Sequence, residues 1–256
     1  MRCICIFNQK GGVGKTTTNI NLCTFLAMKG YKILTIDIDP QGNTTSGFGI
    51  DKNILNKSLY NVLIEENSLE EVIISSELLD NIDIAPSTME LAGAEVEMIN
   101  RVNRENILKR EINKIKDRYD FIFIDCPPSL GILTINALTA AHSVLIPIQC
   151  EFYALEGVGQ LLNTYNLVKR SLNSNLEIEG VILTMFDNRT RLCNEVANEV
   201  KKYFQDKIYD SVITRNIRLA EAPSYGLPIA LYDQNCKGAE CFKNVTNEFL
   251  KRQKRR

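Results

Sequence analysis

The sequence predicts an α/β fold, a single doubly wound and mostly parallel sheet with helices on both faces, running as one domain over residues 1–256. Three observations predict it. Short runs rich in Ile, Val and Phe alternate with stretches of helical periodicity from end to end, the pattern of strand–helix–strand units. The runs are almost wholly apolar, as a central strand covered by helices on both faces requires. A glycine-rich turn also separates the first run from the first helical stretch, at the kind of strand-to-helix turn where such sheets receive ligands.

The strands are expected at CICIF (3–7), KILTID (32–37), IDIA (82–85), DFIFID (120–125), SVLIPI (143–148) and GVILTMF (180–186). Helices are expected over 16–29, 88–116, 154–172, 191–204 and 236–252, where apolar residues return every three to four positions. No Pro-, Gly- or Ser-rich linker and no internal repeat divides the chain.

Composition excludes several classes. With 45% hydrophobic and 24% charged residues the chain is neither disordered nor collagen-like. No run approaches the roughly 18 apolar residues of a membrane span, and MRCICIFNQK reads as strand then loop, so the expected location is cytoplasmic. The 8 cysteines contain no CxxC pair, which removes support for a disulfide framework or zinc site and leaves them as small buried hydrophobes. The net charge of −1 hides an asymmetry: residues 189–256 carry 14 Lys/Arg against 8 Asp/Glu, with 16 against 23 before them. Such segregation points to a polyanion-binding face.

The chemistry is concentrated in Lys10-Gly11-Gly12-Val13-Gly14-Lys15-Thr16-Thr17. Glycines between strand and helix let successive backbone N–H groups converge on phosphate, where the helix dipole also favours negative charge. Lys15 would reach the β- and γ-phosphates and Thr16 would coordinate Mg²⁺. Phosphate bound there lies at the carboxyl edge of the sheet, so carboxylates at neighbouring strand exits can complete the site: Asp37 and Asp39 after one strand, Asp125 after another. An apolar strand ending in Asp125 suits a Mg²⁺-assisting position.

The common phosphate-loop pattern has glycine where this chain has Gln9, and Lys10 adds a second lysine. The result resembles the deviant Walker A signature KGGxGK[ST] of the ParA/MinD branch of P-loop ATPases. NQKGGVGKTT, DIDPQGN, DCPPSLG, VILTMFDNRTRL and RNIRLAEAPSYGLPI together resemble ParA/Soj chromosome-partitioning ATPases along nearly the whole chain.

That resemblance implies ATP and Mg²⁺ as ligand and cofactor, held by Lys10 through Thr17, with Lys10, Lys15 and Asp39 catalytic. In this picture Lys10 reaches the nucleotide of a second subunit, Asp39 positions the attacking water, and Thr16 and Asp125 hold Mg²⁺. It further implies base contacts from Met185, Asp187 and Pro223, and sequence-blind DNA binding through Arg189 and Arg218, aided by Arg191, Arg215 and the basic tail 251–256. The expected partners are a second copy in the ATP state, nucleoid DNA and a ParB-type centromere-binding protein, with no stable membrane anchor. The competing expectation is a MinD-like membrane-associated ATPase. The terminal NVTNEFLKRQKRR argues against it, because Val245, Phe249 and Leu250 suit the inner face of a docking helix.

Overall fold

The computed structural model describes residues 1–151 and 154–254. Its first half runs β1 (Arg2–Ile6), α1 (Lys15–Ala27), β2 (Ile33–Asp37), α2 (Asn43–Gly47), α3 (Leu59–Leu63), β3 (Ile74–Ser75), β4 (Ile82–Ala85), α4 (Leu91–Glu97), α5 (Ile107–Ile115) and β5 (Phe121–Asp125). The second half adds α6 (Ile132–Ala140), β6 (Ser143–Gln149), α7 (Ala154–Ser171), β7 (Glu177–Thr184), α8 (Arg191–Phe204), α9 (Ile217–Glu221), α10 (Ile229–Tyr232) and α11 (Lys237–Gln253).

The expected doubly wound sheet forms, in the order β3-β4-β2-β5-β1-β6-β7. Every pairing is parallel except the antiparallel edge β3·β4. Alternation along each strand sends side chains to two cores. Cys3, Cys5, Ile122 and Ile124 join the core that receives Leu108 and Ile112 of α5, Leu133 of α6, Leu161 of α7 and Val200 of α8. Ile4, Ile6, Phe121 and Phe123 face the opposite core, closed by α1 and α11. There Phe249 sets its ring 5.3 Å from Phe121 and 5.9 Å from Phe123.

One expected helix needed correction, and several elements were not expected from the sequence. The helix predicted over 88–116 is two helices, because the chain turns between α4 and α5 with Asn103 at φ +56, a left-handed conformation no helix continues through. Helix α6 escapes periodicity analysis because Leu133, Thr134, Asn136, Ala137 and Leu138 bury it nearly all round. The edge strand β3 is two residues long and leaves no pattern to read.

Candidate functional site

Strand register builds the site. Asp37 at the end of β2 pairs across with Asp125 at the end of β5, and Asp125 pairs with Ile6 at the end of β1. The loop from β1 to α1 therefore begins beside two carboxylates. Gly12 (φ +75) and Gly14 (φ +87) take left-handed conformations that side chains resist, and so aim the loop's backbone inward. Thr184 at the end of β7 donates to the Val13 carbonyl at 2.8 Å, and Asn8 donates to the Pro147 carbonyl at 2.8 Å. Both bonds fasten the loop to the β6–β7 flank of the sheet.

Lys15 begins α1, is only 6% exposed, and donates from Nζ to the Lys10 carbonyl at 3.1 Å. Burial lowers its pKa, while Asp125 and other nearby acidic groups counteract that. The Thr16 hydroxyl donates to Asp125 Oδ2 at 2.7 Å. The Thr44 hydroxyl reaches the same oxygen at 2.8 Å. Asp125 Oδ1 is buried and makes no hydrogen bond among the described residues. Asp37 instead accepts from the Thr45 N–H and hydroxyl, both at 2.8 Å. Burial raises the pKa of Asp37 to about 7, with the Asp125 charge adding to the shift. The Asp125 carboxyl is raised too, chiefly by burial. Asp39 accepts from the Gln41 N–H at 2.9 Å, and its own carbonyl accepts from the Ser87 hydroxyl at 2.7 Å.

The loop, Asp37, Asp39 and Asp125 thus come together at one sheet edge. A cavity of about 590 Å³ adjoins Gly14 and Thr17, walled by Met185, Asn216, Leu219 and Phe242. Its size suits a nucleoside, and its apolar walls suit a base. Of the three suggested base contacts Met185, at φ +49, lines it; Asp187 and Pro223 do not. Asp187 turns to Arg189, which holds its pKa down at about 2. A larger groove of about 1060 Å³ lies between residues 206–214 and α11. It includes none of the phosphate-loop residues, so the chemistry selects the smaller cavity.

The basic candidates are not gathered into the loop. Arg189 forms a two-pronged pair with Asp187, at 2.9 and 2.7 Å, and remains highly exposed. Arg218 pairs with Glu221 at 3.0 Å and with Asp233 at 3.6 Å. Arg191 pairs with Glu195, whereas Arg215 lines the base-sized cavity. In the tail, Arg252 is structural: it bonds Glu248 and the Asp206 carbonyl and lies over the Tyr209 ring at 4.3 Å. Lys251 and Lys254 are exposed, and Arg255 and Arg256 lie outside the described residues. His142 accepts the Cys3 N–H at 3.0 Å in a structural role.

Sequence reasoning missed Thr44, Thr45 and Ser87, and with them the whole second wall of the carboxylate site. Their signal was the run Gly42-Asn43-Thr44-Thr45 after DPQ: Gly42 at φ +62 starts α2 and turns the threonines back onto the strand ends. Glu151, the ion-pair partner of Lys10, carried no signal at all.

A family model described as "AAA domain" matches residues 1–178. The chain is 54% identical over 245 residues to the sporulation initiation inhibitor protein Soj of Bacillus subtilis, covering 96% of each. It is 48% identical over 251 residues to the chromosome partitioning protein ParA of Myxococcus xanthus, covering 98% of this chain and 88% of that one. Among solved structures, cobyrinic acid a,c-diamide synthase from Mycobacterium smegmatis with bound ADP and magnesium superposes with a TM-score of 0.86 at 33% identity, covering 99% of this chain and 96% of that one.

Proposed function

Because the chain belongs to the ParA/Soj family of chromosome-partitioning ATPases, we propose that it is an ATP-driven dimerisation switch that holds DNA in one nucleotide state and releases it in the other. The triphosphate lies in the loop from Lys10 to Thr17, with Lys15 countering the β- and γ-phosphate charge. Thr16 and Asp125 hold Mg²⁺, which neutralises charge on the phosphate oxygens when bound. The donor set fits a hard cation: a hydroxyl, and a buried carboxylate with one oxygen lacking a hydrogen bond. Asp39 positions the attacking water, and ATP and water become ADP and phosphate.

Lys10 of each subunit acts on the nucleotide of the other, so closure of the dimer and hydrolysis are coupled. The closed pair aligns Arg189 and Arg218 of two copies into one basic track for nucleoid DNA. A ParB-type partner then stimulates turnover and releases it. A base in the cavity walled by Met185 completes the ATP site.

The observation that supports this reading best is that the two lysines of one loop differ in burial: Lys15 is buried and donates to the Lys10 carbonyl, while the Lys10 side chain stays 31% exposed beside Glu151. A single-subunit phosphate site needs only the first. A lipid-bound alternative would need a free apolar face near the C-terminus, and Val245 and Phe249 of α11 are fully buried. Among the described residues no helix is long and apolar enough to cross a membrane.

The test is DNA binding by the Asp39→Ala protein, with ATP and with ADP, on unrelated sequences across a salt series. Binding with ATP alone, indifferent to sequence and steeply weakened by salt, is the expected result. Equal binding in both nucleotide states would defeat the switch.

A further inference from the structure

We propose that Glu151 is a positioning residue for Lys10: it holds the signature lysine on its own subunit until a second, nucleotide-loaded copy competes for the ammonium. The inference rests on the reading above, in which Lys10 acts across a subunit interface.

Lys10 Nζ donates to Glu151 Oε1, which lies just past the end of β6. The backbone around the lysine is pinned. Lys10 N–H donates to Asn8 Oδ1 at 3.0 Å, Gln9 Nε2 donates to Thr164 Oγ1 on α7 at 2.8 Å, and the Lys10 carbonyl accepts from Lys15. Glu151 is anchored in turn, its N–H donating to the Gln149 carbonyl at 3.0 Å and its carbonyl accepting from Ala154 N–H at 2.9 Å. With both backbones held, the four-carbon lysine side chain is the moving part, and rotamer changes carry its ammonium away from Glu151.

The paired side chains are 31% and 38% exposed, so the contact is a modest one. An ion pair of this kind shifts an equilibrium by roughly two- to fivefold. That strength delays closure without preventing it. A phosphate chain carries more negative charge than one carboxylate, so a second copy bearing ATP wins the lysine.

The test has two parts, both on the full chain. In the monomer with ADP, lysines are reductively methylated with ¹³C and the Lys10 signal is assigned through Lys10→Arg. Glu151→Gln is expected to move that signal. In the Asp39→Ala background, which spares ATP, sedimentation with ATP is expected to show dimers tightened roughly two- to fivefold by Glu151→Gln, the gain shrinking at high salt. An unmoved Lys10 signal overturns the proposal. So does a dimer that Glu151→Gln leaves unchanged or weakens. If the parent forms no dimer with ATP while the Lys10 signal still moves, the interfacial role of Lys10 is what has failed, and the proposal goes with it.

Discussion

The Thr16 hydroxyl donates to Asp125 Oδ2 at 2.7 Å, and this bond joins the first turn of α1 to the end of β5. Thr44 reaches the same oxygen from α2, so three elements meet on one carboxylate whose other oxygen makes no hydrogen bond among the described residues. The two hydroxyls converge on one oxygen of Asp125, and the proposed Mg²⁺ role rests on the other.

Replacing Asp125 with Asn keeps the shape and removes the charge. Half-saturation of ATP hydrolysis by Mg²⁺ should rise by about tenfold or more, as expected when a group that orients or supports a metal is removed. Titrating Mg²⁺ at fixed ATP measures this, and an unshifted midpoint would remove Asp125 from the cation site.

The loop glycines should separate by conformation. A Cβ built on Gly11 meets nothing within 4 Å, and its φ is not positive, so Gly11→Val should melt within a degree or two of the parent and still bind ATP. At Gly14, φ +87 penalises any side chain, and Gly14→Ala should lose about 1 kcal/mol or more. If Gly11→Val also fails to dimerise with ATP, the crowding arises between subunits. Thermal melts and sedimentation decide both.

Asp37 supplies a pH dependence. Its folded pKa is raised to about 7, first by burial and then by the Asp125 charge. The folded state therefore binds protons that the unfolded chain releases from about pH 4 upward, and stability declines as pH rises from about 4 to about 7. Asn cannot ionise, so the melting temperature of Asp37→Asn relative to the parent should grow more favourable between pH 5 and pH 8 in Mg²⁺-free buffer. A constant difference across that range would show that Asp37 does not titrate there.

On the proposed DNA-holding role, Arg189 and Arg218 would have to leave the carboxylates of their own chain that they pair with here. Alanine at either should weaken binding on every sequence and make the slope of log K against log salt shallower by about 0.9 for each phosphate that is no longer neutralised. Asp187→Asn should do the reverse, raising affinity by freeing Arg189. Fluorescence anisotropy with short duplexes at several salt concentrations measures all three, and an unaltered slope in the alanine variants would place the DNA track elsewhere.

Six of the seven strands can be read from their composition, because a strand covered on both faces must be apolar at nearly every position and few other segments of that length are. The helices that escape are those lacking a readable amphipathic stripe: α6 is buried nearly all round, and α2, α3, α9 and α10 are five residues or fewer. In the site, Lys10 through Thr17 and the strand-end aspartates were legible because their chemistry depends on residue type within a few positions. Arg215 was not, since its place in the cavity wall rather than on a basic face follows from the path of the chain after Ile213.

Sequence alone was enough for the class of fold, for the glycine-rich loop after β1 and for placing aspartates at neighbouring strand ends, all written in short-range periodicity and spacing. Partners were another matter. Thr44 lies 81 residues from Asp125, Thr16 lies 109 from it, and Glu151 lies 141 from Lys10. Those contacts depend on β2, β5, β1 and β6 standing side by side in that order. Buried parallel strands are apolar in whatever order they stand, so their pattern does not encode which strand ends will be neighbours; helix packing on the two faces and the closure of the connections select the order as the chain folds.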